Sequence, residues 1–209
     1  MIQHKTAKID NILNRLKNEK INTWFDLGLF IDKVKEQSIP LVYKANTPSF
    51  DTHLEKGGIA FLTFYFTIDG ITVETEKYAK IFKNIYPNIP IHFIAGDIKE
   101  EADELIPNNA FKKVIPEMEA FDAWPLYKDF FDIKMQRGST AYNELIGKFW
   151  KEVLVLVEKL GSYIEENDIS LLYLINVCSN PGNVSLALAT VLISEYLGIP
   201  VINNNHDFY

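Results

Sequence analysis

The stretch from Ser170 to Ile202 constrains this chain more than any other, because it reads as a strand, a turn, a helix and a second strand in unbroken succession: SLLYLINV, CSNPG, NVSLALATVLISEYLG, IPVI. Leu171 to Val177 is apolar except for Asn176, the composition of a strand buried on both faces of a sheet. Pro181 and Gly182 end it, and Asn183 or Ser185 can cap the helix that follows by offering a side-chain oxygen to its first free N–H groups. Leu186, Leu188, Ala189, Leu192, Ile193 and Leu197 give that helix a broad apolar side, Gly198 stops it, and Ile199 to Ile202 forms the next strand. Two strands joined by a helix of this length run parallel, with a right-handed crossover.

The rest of the chain repeats the alternation from Gly57 onward. Gly58 to Phe66 (GIAFLTFYF) is a buried strand, Thr67 to Thr72 turns, and a helix follows from Val73 to Asn84 with Thr72 as its expected cap. Pro90 to Ala95 is a strand whose His92 is expected to be a hydrogen-bonded core histidine, since it has no metal partner nearby in sequence. Glu100 to Leu105 is a short acidic helix, Lys113 to Ile115 a short strand, and Ser139 to Asn167 a long helix buried through Leu145, Phe149, Val153, Leu156, Val157 and Leu160. Ahead of this unit, residues 1–56 contain two amphipathic helices, Thr6 to Lys20 and Thr23 to Gln37, read as a helical extension packed on the domain formed by residues 57–209. Residues 40–56 are expected to be mostly irregular, with a short strand at Leu41 to Tyr43. The pattern is that of an open α/β sheet with helices on both faces.

Composition bounds the functions open to such a sheet. The 209 residues are 47% hydrophobic and 13% aromatic, ample for a packed core. With 21 basic against 28 acidic side chains, a net charge of -7, and no basic patch, a nucleic-acid surface is not expected. The single Cys178 excludes an internal disulfide and a Cys-rich metal site, and points to a reducing, cytoplasmic setting. The N-terminus lacks the apolar core of a signal peptide, and no apolar run is long enough to span a bilayer, so membrane contact would be peripheral at most. No cofactor or metal is called for, and no GxGxxG follows the first strand.

Ligands of open parallel sheets bind beyond the carboxyl ends of the strands. Those loops here are Cys178 to Gly182 and Asn203 to Tyr209, the first opening on a helix N-terminus that favours anions or hydroxyl oxygens, the second carrying Asn203, Asn204, Asn205, His206 and Asp207. Asn180, Asn183 and Asn205 are therefore substrate-binding candidates. Cys178 can be read as a nucleophile or, more ordinarily, as a small core residue. The aromatic-rich segment 116–138 can stack a sugar or, as the better reading, anchor a long excursion to the core, and Arg137 beside Gly138 can reach a phosphate.

The run LINVCSNPGNVSLALATVLISEYLGIPVINNNHDFY resembles the end of the N-terminal domain of retaining GT-B glycosyltransferases, particularly glycosyltransferase family 4, in its strand, its helix, its Gly-Ile-Pro and its closing His-Asp-Phe. The resemblance implies a Rossmann-like domain forming the acceptor side of a cleft, and transfer of a sugar from a nucleotide-sugar donor to a sugar or other hydroxyl acceptor. It implies that His206 lines the cleft as the catalytic residue, contacting the transferred sugar or steadying phosphate charge, with Asp207 orienting it or binding acceptor hydroxyls. The alternative is that His206 and Asp207 are an exposed tail pair. The turn Thr67 to Thr72 after the first strand resembles the family's glycine-rich loop only in Gly70, with Asp69 in place of a second glycine; an acceptor or sugar-hydroxyl role is assigned to both, against the alternative that Gly70 simply permits a turn. The family's second, nucleotide-sugar-binding domain has no counterpart here, so the chain is expected to be an acceptor-side half, inactive by itself. The competing expectation is a stand-alone Rossmann-like sugar-binding or regulatory domain without catalysis.

Overall fold

The computed structural model describes residues 7–37, 50–179 and 182–205. Two helices open the chain, α1 (Ala7–Lys17) and α2 (Trp24–Gln37), followed by α3 (Phe50–Gly57). The main sheet is built from β1 (Ile59–Leu62), β3 (Ile91–Ala95), β5 (Phe111–Val114), β6 (Leu171–Ile175) and β7 (Val201–Asn204). A two-stranded parallel ribbon of β2 (Tyr65–Phe66) and β4 (Asp97–Ile98) extends from it. The helices α4 (Gly70–Ile85), α5 (Tyr127–Phe131), α6 (Thr140–Glu166) and α7 (Val184–Leu197) complete the fold.

The main sheet has the order β5-β3-β1-β6-β7 and every pairing in it is parallel. Counting its strands alone, this is 3-2-1-4-5, the order of a Rossmann-like open sheet. Alternation along the strands divides the side chains into two cores. Ala60, Leu62, Ile94, Leu172 and Leu174 meet α1, α2, α6 and α7 on one face, and Ile59, Phe61, Ile91, Phe93, Leu171 and Tyr173 meet α3 and α4 on the other. Ile9, Leu13, Leu16, Phe30 and Val34 of the first two helices belong to the α6 face core, so the helical pair shares the domain's own apolar interior.

His92 is buried on the α6 face, stacks on Phe111 with centroids 4.8 Å apart, and shares a 3.0 Å hydrogen bond through Nδ1 with the Tyr163 hydroxyl. It is a hydrogen-bonded core residue. Burial pushes its pKa down to about 4, because the imidazolium would lose its hydration there.

The expected single strand from Gly58 to Phe66 is two. Phe64 and Tyr65 both join the α6 face core and Phe66 joins the other, so the period of two slips by one residue and the chain leaves β1 to start the ribbon. The Phe64 carbonyl accepts the Gly96 N–H at 2.8 Å across this break. Helix α4 begins at Gly70, three residues before the expected start. Its cap is Asp69 and not Thr72: Asp69 Oδ1 accepts the Thr72 N–H at 2.8 Å, while Thr72 is buried. Part of the stretch expected to be irregular is α3, held to the sheet through Leu54. Asn203 and Asn204, expected in a loop, are strand residues. The strand expected at Leu41 to Tyr43 lies outside the described residues.

Helix α6 has 27 residues. It is about 40 Å long at 1.5 Å per residue, whereas five-residue strands such as β6 span about 17 Å. Since α6 runs down to the start of β6, its first half rises past the carboxyl edge of the sheet. There Trp24 of α2 packs on Phe130, Tyr142 and Phe149, making a one-sided aromatic wall. Trp124 is buried and donates from Nε1 to Glu152 Oε2 at 2.7 Å. These rings carry structural area, the plainer of the two expectations for the segment. No helix among the described residues is long and apolar enough to cross a membrane.

Candidate functional site

The chain changes direction across the sheet between β1 and β6. After β1 it moves outward to β3 and β5 by way of α4 on one face; after β6 it moves the other way to β7 by way of α7 on the other face. Loops that diverge to opposite faces leave a crevice between the carboxyl ends of the two central strands, and open parallel sheets bind ligands at this topological switch. Its two lips are residues 63–69, which include β2, and the described residues 176–179 and 182–183.

The β6 lip is closed by internal bonds. Asn183 is 1% exposed; its Oδ1 caps α7 by accepting the Leu186 N–H at 2.9 Å, and its Nδ2 donates to the carbonyls of Glu117 at 3.0 Å and Glu119 at 2.8 Å. Between the two expected caps, Asn183 is the one used, and Ser185 is buried with its Oγ donating to Glu152 Oε2. Phe121, at φ +54, donates its N–H to the Gly182 carbonyl at 2.9 Å, which pins the segment after β5 against this loop. A Cβ on Gly182 would meet Ala120 Cβ and the Phe64 ring at 2.9 Å. Asn183 thus builds the crevice wall with every polar atom of its side chain occupied. Asn176 at φ +59 ends β6, and its side-chain carbonyl accepts from Ser179 Oγ at 3.4 Å.

The β1 lip is open. Asp69 is half-buried, and Gly70, the first residue of α4, is exposed with empty space where a Cβ would stand and no positive φ. The turn does not require glycine there, which answers the expectation that Gly70 serves only a tight turn. Beside this lip the Tyr65 hydroxyl is pushed up by burial and by the Asp69 carboxylate, and its ring meets Phe121 at 6.5 Å.

A third group of polar side chains lies between α4 and the ends of β6 and β7. The Tyr78 hydroxyl donates to Glu74 Oε1 at 2.6 Å, and Asn204 Nδ2 donates to the Tyr173 hydroxyl at 3.2 Å. The rings of Tyr78 and Tyr173 are 5.2 Å apart. Burial, and then the bond to Tyr78, push Tyr173 up to about 12. Asn205 follows directly, half-buried, its Oδ1 shut off from solvent with no partner among the described residues.

Of the residues singled out in the sequence, the fold brings Asp69 and Gly70 to one lip and Asn183 to the other, with Asn205 at the neighbouring strand end. Arg137 is exposed in the turn before the Ser139 cap of α6, on the opposite face of the sheet from α4. Asn180, His206 and Asp207 lie outside the described residues. Sequence reasoning did not join Glu74, Tyr78, Tyr173 and Asn204. Glu74 stands in a helix with no motif around it, and Tyr173 sits inside an apolar run.

Cys178 is exposed as a residue, so it is not the buried core cysteine expected; its sulfur is nonetheless crowded, and desolvation pushes the thiol up, away from nucleophilic behaviour. Among the described residues no group of three or more His, Cys, Asp or Glu side chains is arranged to hold a metal ion. Two cavities lie at the opposite, amino-terminal edge of the sheet: one of about 330 Å³ bordered by Ile164, Asp168 and Ile199, and one of about 170 Å³ bordered by Lys83, Ile91 and Pro107. The switch crevice is the better candidate despite their volume, because the chain reversal and the convergent polar groups are there.

No family model, curated protein or solved structure matches the chain.

Proposed function

We propose that this is the acceptor-side domain of a glycosyltransferase, which moves a sugar from a nucleotide-sugar donor to an acceptor hydroxyl. The observation that carries the reading is the switch point between β1 and β6, where the half-buried Tyr65, Asp69 and Ser179 follow the strand ends with hydroxyl and carboxylate groups. Such groups exchange hydrogen bonds with sugar hydroxyls, whereas Asp69 at the mouth of α4 disfavours a diphosphate. The nucleotide-sugar is accordingly assigned to a second α/β domain facing this one, as the resemblance to GT-B enzymes implies, and this half holds the acceptor. His206, by the same resemblance, acts at the transferred sugar, and the departing phosphate takes the acceptor proton.

The experiment is transfer of labelled sugar from a panel of nucleotide-sugars to simple glycoside acceptors, by protein produced from the complete natural coding region. Transfer that drops by at least about a hundredfold in His206→Ala, a loss of the size seen for a stabilising group at a reacting centre, supports the reading. Transfer unchanged by that substitution, or none with any donor, contradicts it.

A second reading, a sugar-binding or regulatory domain without catalysis, is favoured by the Asp69 carboxylate at the start of α4, which suits a neutral polyol and no donor phosphate. Saturable glycoside binding without transfer by the complete protein selects it.

A further inference from the structure

We infer that Tyr65, Phe121, Tyr127 and Phe131 form a track for the alkyl chain of an amphiphilic acceptor whose hydroxyl-bearing head lies at Tyr65 and Asp69. The inference rests on the acceptor-side reading for the head group, and on the placement of four rings for the chain. Tyr65 follows β1 at the open lip, and its ring is 6.5 Å from that of Phe121. Phe121 is 6.0 Å from Tyr127, and Tyr127 is 5.1 Å from Phe131. The row leads from the switch point to solvent, since the first three rings are half-buried and Phe131 is 44% exposed. Structural area does not account for it. The segment after β5 is already anchored by Trp124, which is buried, meets Phe130 at 5.1 Å and is bonded to Glu152. A phenyl exposed to this extent at Phe131 adds little to that anchor. Phe121 sits at φ +54, a region that a bulky side chain seldom occupies and that asparagine or glycine would fill at lower cost. Strained positions of this kind cluster where ligands are held.

The two parts of the track select different halves of one ligand. At the crevice end the Tyr65 hydroxyl has no hydrogen-bond partner among the described residues and lies within electrostatic reach of the Asp69 carboxylate, of which Oδ1 caps α4. A carboxylate beside a hydroxyl receives a head that donates hydrogen bonds and repels an anionic one. Along the row, Phe121 and Phe131 offer carbon alone, which suits hydrocarbon and not a second sugar residue. Successive rings are tilted by 48°, 69° and 50°. A flat, rigid aglycone therefore stacks on one of them at most, whereas an alkyl chain bends to follow all four.

The test is NMR of the 209-residue protein, following the aromatic side-chain signals during titration with methyl, butyl, hexyl and octyl β-glucopyranoside, each below its micelle concentration, and in parallel with octyl phosphate. The signals of Phe121 and Phe131 are expected to move saturably, with Kd falling by about threefold for each CH₂ added between butyl and octyl. Octyl phosphate, with the same chain on an anionic head, should bind about tenfold more weakly. Phe131→Ser, at an exposed position, should weaken octyl glucoside by about tenfold through lost apolar contact. Phe121→Asn suits the positive φ and should weaken it similarly, an unchanged backbone spectrum establishing that the variant is folded. A Kd independent of chain length, no shift at these rings with any glucoside, or octyl glucoside binding unchanged in both variants overturns the track. Octyl phosphate binding as tightly as octyl glucoside overturns the assignment of the head. Each of these results leaves the acceptor-side reading standing; that reading fails separately, in the transfer assay.

Discussion

The two lips of the switch crevice do the same local work by opposite means. Each starts a helix on a side-chain cap, Asp69 for α4 and Asn183 for α7. Asn183 is sealed between α7 and the segment after β5 and bonds on both sides of its amide, whereas Asp69 makes one side-chain cap bond beside a bare glycine at the surface. One lip is built as a wall. The other leaves backbone and carboxylate available to a ligand, so a polar loop after a buried strand is not by itself a binding loop.

The sharpest way to break this comparison is to remove both caps. Asn183→Ala should cost about 3 kcal/mol, the cap bond plus two buried carbonyls left unpaired, while Asp69→Ala should cost about 1 kcal/mol, the cap alone. Urea unfolding of the two variants measures the difference, and equal losses would erase the distinction between the lips.

The next largest effect concerns the pH at which the comparison is made. His92 is depressed to about 4 in the folded chain from an ordinary value of 6.5. The unfolded state then binds the extra proton first, so the stabilisation is full above pH 6.5 and is lost as pH falls toward 4. The loss is about 3 kcal/mol at its limit. The slope of stability against pH in this window should flatten in His92→Gln, and the lips are best compared above it.

Glycine substitutions sharpen the contrast by sign. Gly182→Ala forces a methyl against Ala120 and the Phe64 ring and should cost about 2 kcal/mol. Gly70→Ala meets nothing and should stabilise by about 0.5–1 kcal/mol, since alanine favours the helix. If Gly70 is kept for close approach of a ligand, the same variant should bind glycosides more weakly while melting at a higher temperature.

Much of the frame was legible because buried parallel strands are continuous apolar runs; Leu171 to Ile175 and Ile91 to Ala95 stand out on that ground alone. The break at Phe64 and Tyr65 was not, because a one-residue slip between two cores leaves an apolar sequence apolar. Helix α3 escaped notice because an eight-residue helix with Leu54 as its buried apolar residue has little period to show. At the site, the amides around residues 176–183 and 203–205 were visible as a cluster. Composition does not distinguish an amide spent on the protein's own carbonyls, as in Asn183, from one with an idle oxygen, as in Asn205. The link from Tyr78 to Tyr173 joins a helix to a distant strand and has no local pattern at all.

The most direct measurement of the central claim is backbone hydrogen exchange of the 209-residue protein with and without a saturating neutral glycoside. Binding at the switch crevice predicts added protection at residues 67–73 and 203–205, with none at Ile164 to Ile169 or at Leu197 to Ile199 beside the larger cavity of the opposite edge. Protection confined to that opposite edge would contradict the account.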